Sequence, residues 1–446
     1  MPDILIKNAT VFFNGFLQSG EIAIDDGKIS KISKSIHVTS VNELIDAKGM
    51  LVLPAGIDMH VHFRDPGDAQ KEDWHSGSMA ACHGGITTVI DQPNTNPPTI
   101  DVQSFKEKLK LANKKSIIDF GINGGVTNNI ESLKELDCAG SIAFGEIFMA
   151  ESTGKLNIDN ETFKKSLFEI KKLNALATIH AEDESIRLAY ESLLTKYTGS
   201  DWHSKARPEI CEIKAIEKAI EYIDLCDVKA HFCHISTKRG VELIHSKNKK
   251  NITLEVAPHH LFLSNNDWNS LGTFGKMNPP LRSKETVSAL FDFLSKGYID
   301  AIASDHAPHA EFEKGINLKQ APSGVPGVET LIPLLMMAVK KNRISIERMI
   351  DVTSKNPAKI LGIDGLGKGV FEEGFDADLL IINSKEITKI EGDLLYSKAK
   401  WTPYEGMNGI FPKIVISRGK IVYDGEIIGN RGDGKFLNGN DVRLLE

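Results

Sequence analysis

Cysteine is scarce in this chain of 446 residues: Cys82, Cys138, Cys211, Cys226 and Cys233 are scattered, odd in number and without a Cys-x-x-Cys spacing. That excludes a disulfide framework and a zinc knuckle of paired cysteines, and it fits a reducing, cytoplasmic setting. Long hydrophobic runs are missing as well. No apolar stretch approaches the roughly 20 residues needed to span a bilayer. The start of the chain carries Asp3 and then alternates as a strand, unlike the basic and apolar start of a secretory signal, so an unexported protein is expected. Positive charge is in deficit too, with 53 Lys and Arg against 60 Asp and Glu for a net charge of −7. A nucleic-acid or anionic membrane partner attracts clustered cations and is therefore not expected. Any anionic small-molecule ligand must be met by local charge.

What is present is enough apolar material, 41% of residues, for a large core plus an accessory unit. Residues 1–53 alternate apolar and polar at period two (Ile4, Ile6; Ile22, Ile24; Ile29, Ile32), and Asp26-Gly27 signals a hairpin turn. From 54 to 362 the pattern changes to short apolar runs, such as Ile86–Ile90, Ile117–Ile122 and Ala301–Ala303, separated by helical stretches at 102–114 and 161–174. Strands alternating with helices over so long a span predict an α/β fold, a (β/α)₈ TIM-like barrel. After the glycine-rich junction at Gly362, Gly365, Gly367 and Gly369, period-two segments return at Ala377–Ile382 and Ile414–Ile416. Residues 363–446 are thus expected to complete, with the N-terminal segment, a small β-sandwich beside the barrel. The tail after about 430, rich in Gly, Asn and Asp, reads as loosely ordered.

The sharpest chemical signal is His60-Val-His62 directly after an apolar strand, because alternation puts residues i and i+2 on the same side of a strand. His180 ends Ala177–His180, His234 ends Ala230–His234 and Asp305 ends Ala301–Asp305. Catalytic groups of such barrels sit at the C-terminal ends of the strands, and imidazoles with a carboxylate suit a Zn²⁺-type site. His259 and His260 are adjacent, would point to opposite faces of a strand, and are expected to be structural. His231 is expected to pack, while His75, His83, His203 and His245 show no partner pattern. Arg64 offers a planar fork for a carboxylate in an otherwise acidic protein.

The segments His60-Val-His62-Phe-Arg64-Asp-Pro-Gly67, Asp91-Gln-Pro-Asn94-Thr95, Asn278-Pro-Pro-Leu-Arg282 and Ser304-Asp305-His-Ala-Pro-His309 closely resemble the signature segments of type I dihydroorotases. The resemblance extends over nearly the whole chain, including Gly374–Asp378 and Trp401–Tyr404. It implies reversible hydrolysis of L-dihydroorotate to N-carbamoyl-L-aspartate in pyrimidine synthesis. On the matching positions, His60, His62, His180 and His234 would bind one or two Zn²⁺ ions. Asp305 would bind metal and shuttle the proton, Arg64, Asn94 and His309 would hold the substrate carboxylate, and Asn278 would contact the ring. The loop Ala321–Gly327 would close against it. A homo-oligomer and association with aspartate transcarbamoylase are further implications.

Two alternatives stand beside this reading. A hydantoinase or allantoinase would act on a neutral ring, which offers Arg64 and Asn94 no carboxylate. A catalytically silent partner of aspartate transcarbamoylase would be expected to have lost metal ligands. One departure from the resembling family is notable: many members carry a carbamylated lysine in a pattern like Lys-x-Phe-Met-Ala, and Gly145-Glu146-Ile147-Phe148-Met149-Ala150 puts Glu146 there. Glu146 is expected to supply the metal-bridging carboxylate directly, with Glu151 and Lys155 the nearest substitutes.

Overall fold

A computed structural model describes the whole chain except residues 14, 153–155 and 446, so Lys155 lies outside the described residues. Eight strands form the barrel: β6 (Gly56–Val61), β7 (Ile86–Asp91), β8 (Asp119–Ile122), β9 (Phe144–Phe148), β10 (Leu176–His180), β11 (Lys229–Phe232), β12 (Ile252–Val256) and β13 (Ala301–Ile302). Their pairings run parallel from β6 through β8 and from β9 through β13. Two seams close the circle. Gly124 pairs with Phe144, donating its N–H to Ala143 O at 3.0 Å and accepting from Gly145 at 2.9 Å. Val61 pairs with His306, and His62 donates its N–H to His306 O at 2.8 Å.

Both faces of this parallel sheet are covered, which is why β7 and β10 are buried at every position and show no polar-apolar alternation. The expected helices occur at Val102–Lys115 and Asn160–Lys172. Each turns its buried residues to the sheet, for example Phe105 and Ala112, or Phe163, Leu167 and Ile170.

The two ends of the chain share one folded sheet: β1 (Ile4–Phe13), β2 (Phe16–Asp25), β3 (Lys28–Ser33), β4 (Glu43–Asp46) and β5 (Leu51–Pro54), joined by Leu379–Ile382, Ile414–Ser417 and Lys420–Asp424. The Asp26-Gly27 turn has φ of 49° and 76°, the left-handed pair that a two-residue hairpin requires. A bulge between Ile6 and Ala9 lets β1 pair with β4 along its first half and with β5 along its second. The sheet thereby wraps one core of Ile4, Ile6, Val11, Ile22, Ile24, Leu379, Ile381 and Ile416. Leu379 pairs antiparallel with Pro54, so the sandwich is held next to the first barrel strand.

The C-terminal tail corrects the expectation of loose order. Phe120 of β8 donates its N–H to Lys435 O at 3.0 Å, and Leu437 donates to Phe120 O at 2.8 Å. The Phe436 ring lies 5.9 Å from that of Phe120 and 6.2 Å from that of Phe105. The polar composition of this tail reflects its outer surface; its order comes from a few apolar side chains docked on the barrel.

Candidate active site

The strand ends converge on a small, polar cavity. His60 lies at the end of β6 and His62 follows two residues on; their ring centroids are 5.2 Å apart, as strand alternation requires. His180 ends β10, His234 lies two residues past β11 and Asp305 three past β13, the last two with left-handed φ of 36° and 46°. Glu146 points inward from the middle of β9 and is 4% exposed, which rules out a solvent-facing role. Glu151, by contrast, is exposed and approaches Arg187 at 3.4 Å.

Two overlapping sets of donors result. His60, His62 and Asp305 bring ligand atoms within 4.8 Å of one another, as do His60, Glu146 and His234. Glu146 Oε1 lies 2.8 Å from His180 Nδ1 and 2.6 Å from His234 Nε2, while Asp305 Oδ1 lies 3.1 Å from His62 Nε2. His60 Nε2 is buried without a hydrogen-bond partner, 3.5 Å from Glu146 Oε2 and 3.7 Å from Asp305 Oδ1.

Three acids that sequence reasoning did not single out orient these groups. Glu255 of β12 accepts a hydrogen bond from His60 Nδ1 at 2.7 Å, so the Nε2 of His60 faces the cavity. Glu182 accepts from His180 Nε2 at 2.9 Å and is paired with Arg207, which turns Nδ1 of His180 inward. Asp58 accepts the backbone N–H groups of His60 at 3.2 Å and Ser304 at 3.0 Å, and burial raises its carboxyl to about 6. The available signal was an acid inside an apolar run, as in Leu254-Glu255-Val256. Fixing one imidazole nitrogen so that the other is presented to a cation is the expected use of such partners.

The electrostatics test whether a cation fits. Burial raises the Glu146 carboxyl, but His60 and the hydrogen bonds of His180 and His234 outweigh it and hold it well below the ordinary carboxylate range. Burial likewise opposes ionisation of Asp305, yet His62 and the neighbouring imidazoles draw it down to about 2. Burial lowers the His180 imidazolium, and Glu146 and Glu182 overcome this and lift it to about 9. The buried carboxylates thus draw protons onto imidazoles that would otherwise be neutral. A divalent cation satisfies the same charges, and the nitrogen and oxygen donors suit one.

Beside this cluster lies a group of hydrogen-bond donors. Arg64 is 4% exposed, and its Nε is buried without a partner. Its Nη2 lies 3.5 Å from His309 Nε2, whose proton goes to Ser323 O at 3.0 Å, so the guanidinium supplies the unused N–H groups here. Asn94 Oδ1 accepts from His62 Nδ1 at 2.6 Å, which leaves the amide NH₂ as the donor toward the cavity that Asn94 lines. Asn278 donates to Ser152 Oγ at 3.0 Å, and its Oδ1 is buried without a partner. Ser323 and Gly324 from the loop 321–327 complete the lining.

The remaining histidines need one correction. His259 and His260 sit in a short helix, Pro258–Phe262, because proline at the first position suits a helix start better than a central strand. His260 donates to Pro279 O at 3.1 Å. His231 bonds Glu255 at 3.1 Å and so backs the orientation of His60.

The model of the amidohydrolase family matches residues 51–422, and the chain belongs to that family. Its relatives narrow the class. A dihydroorotase of Methanosarcina acetivorans is 56% identical over 100% of this chain and 97% of its own length. Those of Halobacterium salinarum and Pyrococcus furiosus are 42% and 40% identical, covering 84% and 96% of this chain and 87% and 94% of their own. Among solved structures, the L-hydantoinase (dihydropyrimidinase) of Arthrobacter aurescens superposes with a TM-score of 0.94 at 30% identity, over 98% of this chain and 100% of that one. The dihydropyrimidinase of Brevibacillus agri gives 0.89 at 28% identity, over 97% and 98%.

Proposed function

We propose that the chain is a dihydroorotase, opening and re-forming the cyclic amide that relates L-dihydroorotate to N-carbamoyl-L-aspartate in pyrimidine synthesis. Identity of 56% over nearly the full length of relatives of that name supports the chemistry. The observation that carries the substrate is Arg64, a buried guanidinium with an unpartnered Nε beside the donor cluster. A hydantoin ring is neutral and has no carboxylate for this group, so the arginine favours dihydroorotate over the substrates for which the structural neighbours are named. Presence of all six candidate ligands argues against a silent assembly partner.

In this reading His60, His62, Glu146, His180, His234 and Asp305 hold one or two Zn²⁺ ions. When bound, such a metal acidifies water to a pKa near about 7 and polarises a carbonyl. Asp305, ionised and aimed into the cavity, takes the proton of the attacking water and returns it to the ring nitrogen as the C–N bond breaks. Arg64 and the Asn94 amide hold the substrate carboxylate by hydrogen bonds, charge-assisted at Arg64, and His309 joins them by exchanging its bond to Ser323 O for one to the carboxylate. Asn278 Oδ1 offers an acceptor to a ring N–H. The domain division 1–53, 54–362 and 363–446 and a cytoplasmic setting, in keeping with five free cysteines, belong to the same proposal. Among the described residues no helix is long and apolar enough to cross a membrane. A homo-oligomer and association with aspartate transcarbamoylase are tested by sedimentation and co-elution.

The direct test is turnover by metal-loaded protein. Ring opening releases a carboxylic proton, so L-dihydroorotate should be opened at alkaline pH and N-carbamoyl-L-aspartate closed at acidic pH. Turnover of hydantoin or dihydrouracil with none of dihydroorotate would overturn the proposal.

A further inference from the structure

Lys276 and Lys314 are buried, at 6% and 0% exposure, and neither forms an ion pair with a carboxylate among the described residues. Burying an unpaired ammonium is costly unless its donors are satisfied. Here all three donors of each are used, and all six acceptors are backbone carbonyls. Lys276 Nζ donates to Leu318 O at 2.8 Å, Lys319 O at 3.3 Å and Ala321 O at 2.6 Å. Lys314 Nζ donates to Pro322 O, Gly324 O and Lys276 O, each at 3.0 Å. Five of these carbonyls belong to the segment 318–324, and the sixth is that of Lys276 itself, which also accepts the Gly324 N–H at 2.9 Å.

That segment reaches the cavity. Ser323 O receives the His309 Nε2 proton, and Gly324 presses on the strand-end loop so closely that a Cβ there would lie 2.4 Å from Ala307 O. Gly324 also has φ of +131°, a conformation closed to other residues. From the other side Trp401 packs 5.6 Å from Lys314 Nζ and donates its indole N–H to His309 O at 2.9 Å. His309 is therefore held at both its ring and its carbonyl by groups that touch the two lysines or the loop they bind.

We propose that Lys276 and Lys314 are positioning residues whose ammonium groups clamp the backbone of segment 318–324 and so hold His309 and Arg64 converged for the substrate carboxylate. The clamp acts on binding of the carboxylate; neither lysine bonds to Asp305. Its substrate consequence rests on the dihydroorotase reading; its effect on the loop does not.

The test replaces each lysine with an apolar chain of similar length, Lys314→Met and Lys276→Met, with the milder Lys276→Gln as a second variant should either fail to fold. In metal-loaded protein KM for dihydroorotate should rise about tenfold or more, the equivalent of roughly one missing charge-assisted hydrogen bond, with kcat and metal content near those of the parent. Amide exchange at 318–324 should accelerate while that of the barrel strands stays unchanged. A lowered melting temperature with KM and loop exchange unchanged would mean that the lysines only stabilise the fold, and would overturn the clamp. If the parent does not turn over dihydroorotate, the substrate reading fails separately; unchanged loop exchange in the variants would still refute the clamp, and accelerated exchange would support it.

Discussion

Asp305 shows at the scale of one residue how environment sets a role. Its carboxyl is drawn down to about 2 by His62 and neighbouring imidazoles despite burial, so it is an acceptor at any working pH. Asp305→Asn removes that acceptor, and turnover in both directions should fall by about 10²–10⁴-fold at matched metal content. Activity within about tenfold of the parent would rule out the proton-shuttle role. Arg64→Met should raise KM for dihydroorotate steeply, since removing one partner of a buried, hydrogen-bonded charge pair typically costs about 2–5 kcal/mol. Hydantoin, if it is turned over at all, should lose little, and equal losses on both substrates would contradict a carboxylate role. Glu146→Ala should lower bound metal towards one ion per subunit, with reconstitution of the parent independent of bicarbonate. Bicarbonate-dependent loading, or two full metals in the alanine variant, would assign the bridge to another group. The histidines and Asp305 were legible because each ends an apolar run at a strand terminus. Glu182 and Glu255 were not, because the partner of Glu255 lies far away in sequence and that of Glu182 is set by loop geometry.

At the scale of elements, short caps hold the loops that carry these residues. The helix Trp74–His83 follows the Arg64 loop, and Asp73 caps it by accepting the N–H groups of His75 at 2.9 Å and Ser76 at 2.8 Å. Burial raises this half-buried carboxyl, but the cap bonds and Lys398 prevail and bring it to about 2. A depressed folded-state pKa means that the stabilisation is complete above the ordinary carboxylate value and is lost as pH falls towards about 2. Asp73→Ala should cost about 0.5–2 kcal/mol near neutrality, and the gap to the parent should close on acidification. A constant gap in denaturant midpoints from about pH 7 to below about pH 3 would mean that the side chain acts by packing instead. The helices at 102–115 and 160–172 were readable to within a residue or two from their apolar spacing. The short helix at 258–262 reads as strand in the sequence because two adjacent histidines give no period; the proline before them is the better guide.

For the whole molecule, one buried ionic cluster joins barrel, sandwich and tail. Lys368 Nζ lies 2.5 Å from Asp119 Oδ2 of β8, 3.0 Å from Asp376 and 2.8 Å from Asp378, and Arg418 adds a 3.0 Å ion pair to Asp119. Burial opposes both charges, but the pairing lifts Lys368 above its ordinary value and holds Asp119 below its own. A raised lysine loses its contribution only as pH climbs past the ordinary lysine range, and a lowered aspartate only as pH drops below the ordinary carboxylate range, so the Lys368–Asp119 pair is intact between them, while burial raises the Asp378 carboxyl so that it is protonated first on acidification. Lys368→Met strands buried carboxylates and should cost about 3–5 kcal/mol in denaturant unfolding, with barrel and sandwich losing structure together. A destabilisation below about 1 kcal/mol would show the cluster to be dispensable. The sequence by itself determined the class of fold, the strand-end histidines, Arg64 and the acid at 146, because side-chain periodicity and local motifs are properties of neighbouring residues. Tertiary structure alone decided the closure of the barrel by the Gly124–Phe144 and Val61–His306 seams, the docking of the tail on β8, and the choice of Glu255 to orient His60. Those depend on residues far apart in the chain meeting in space, and no local pattern encodes such a meeting.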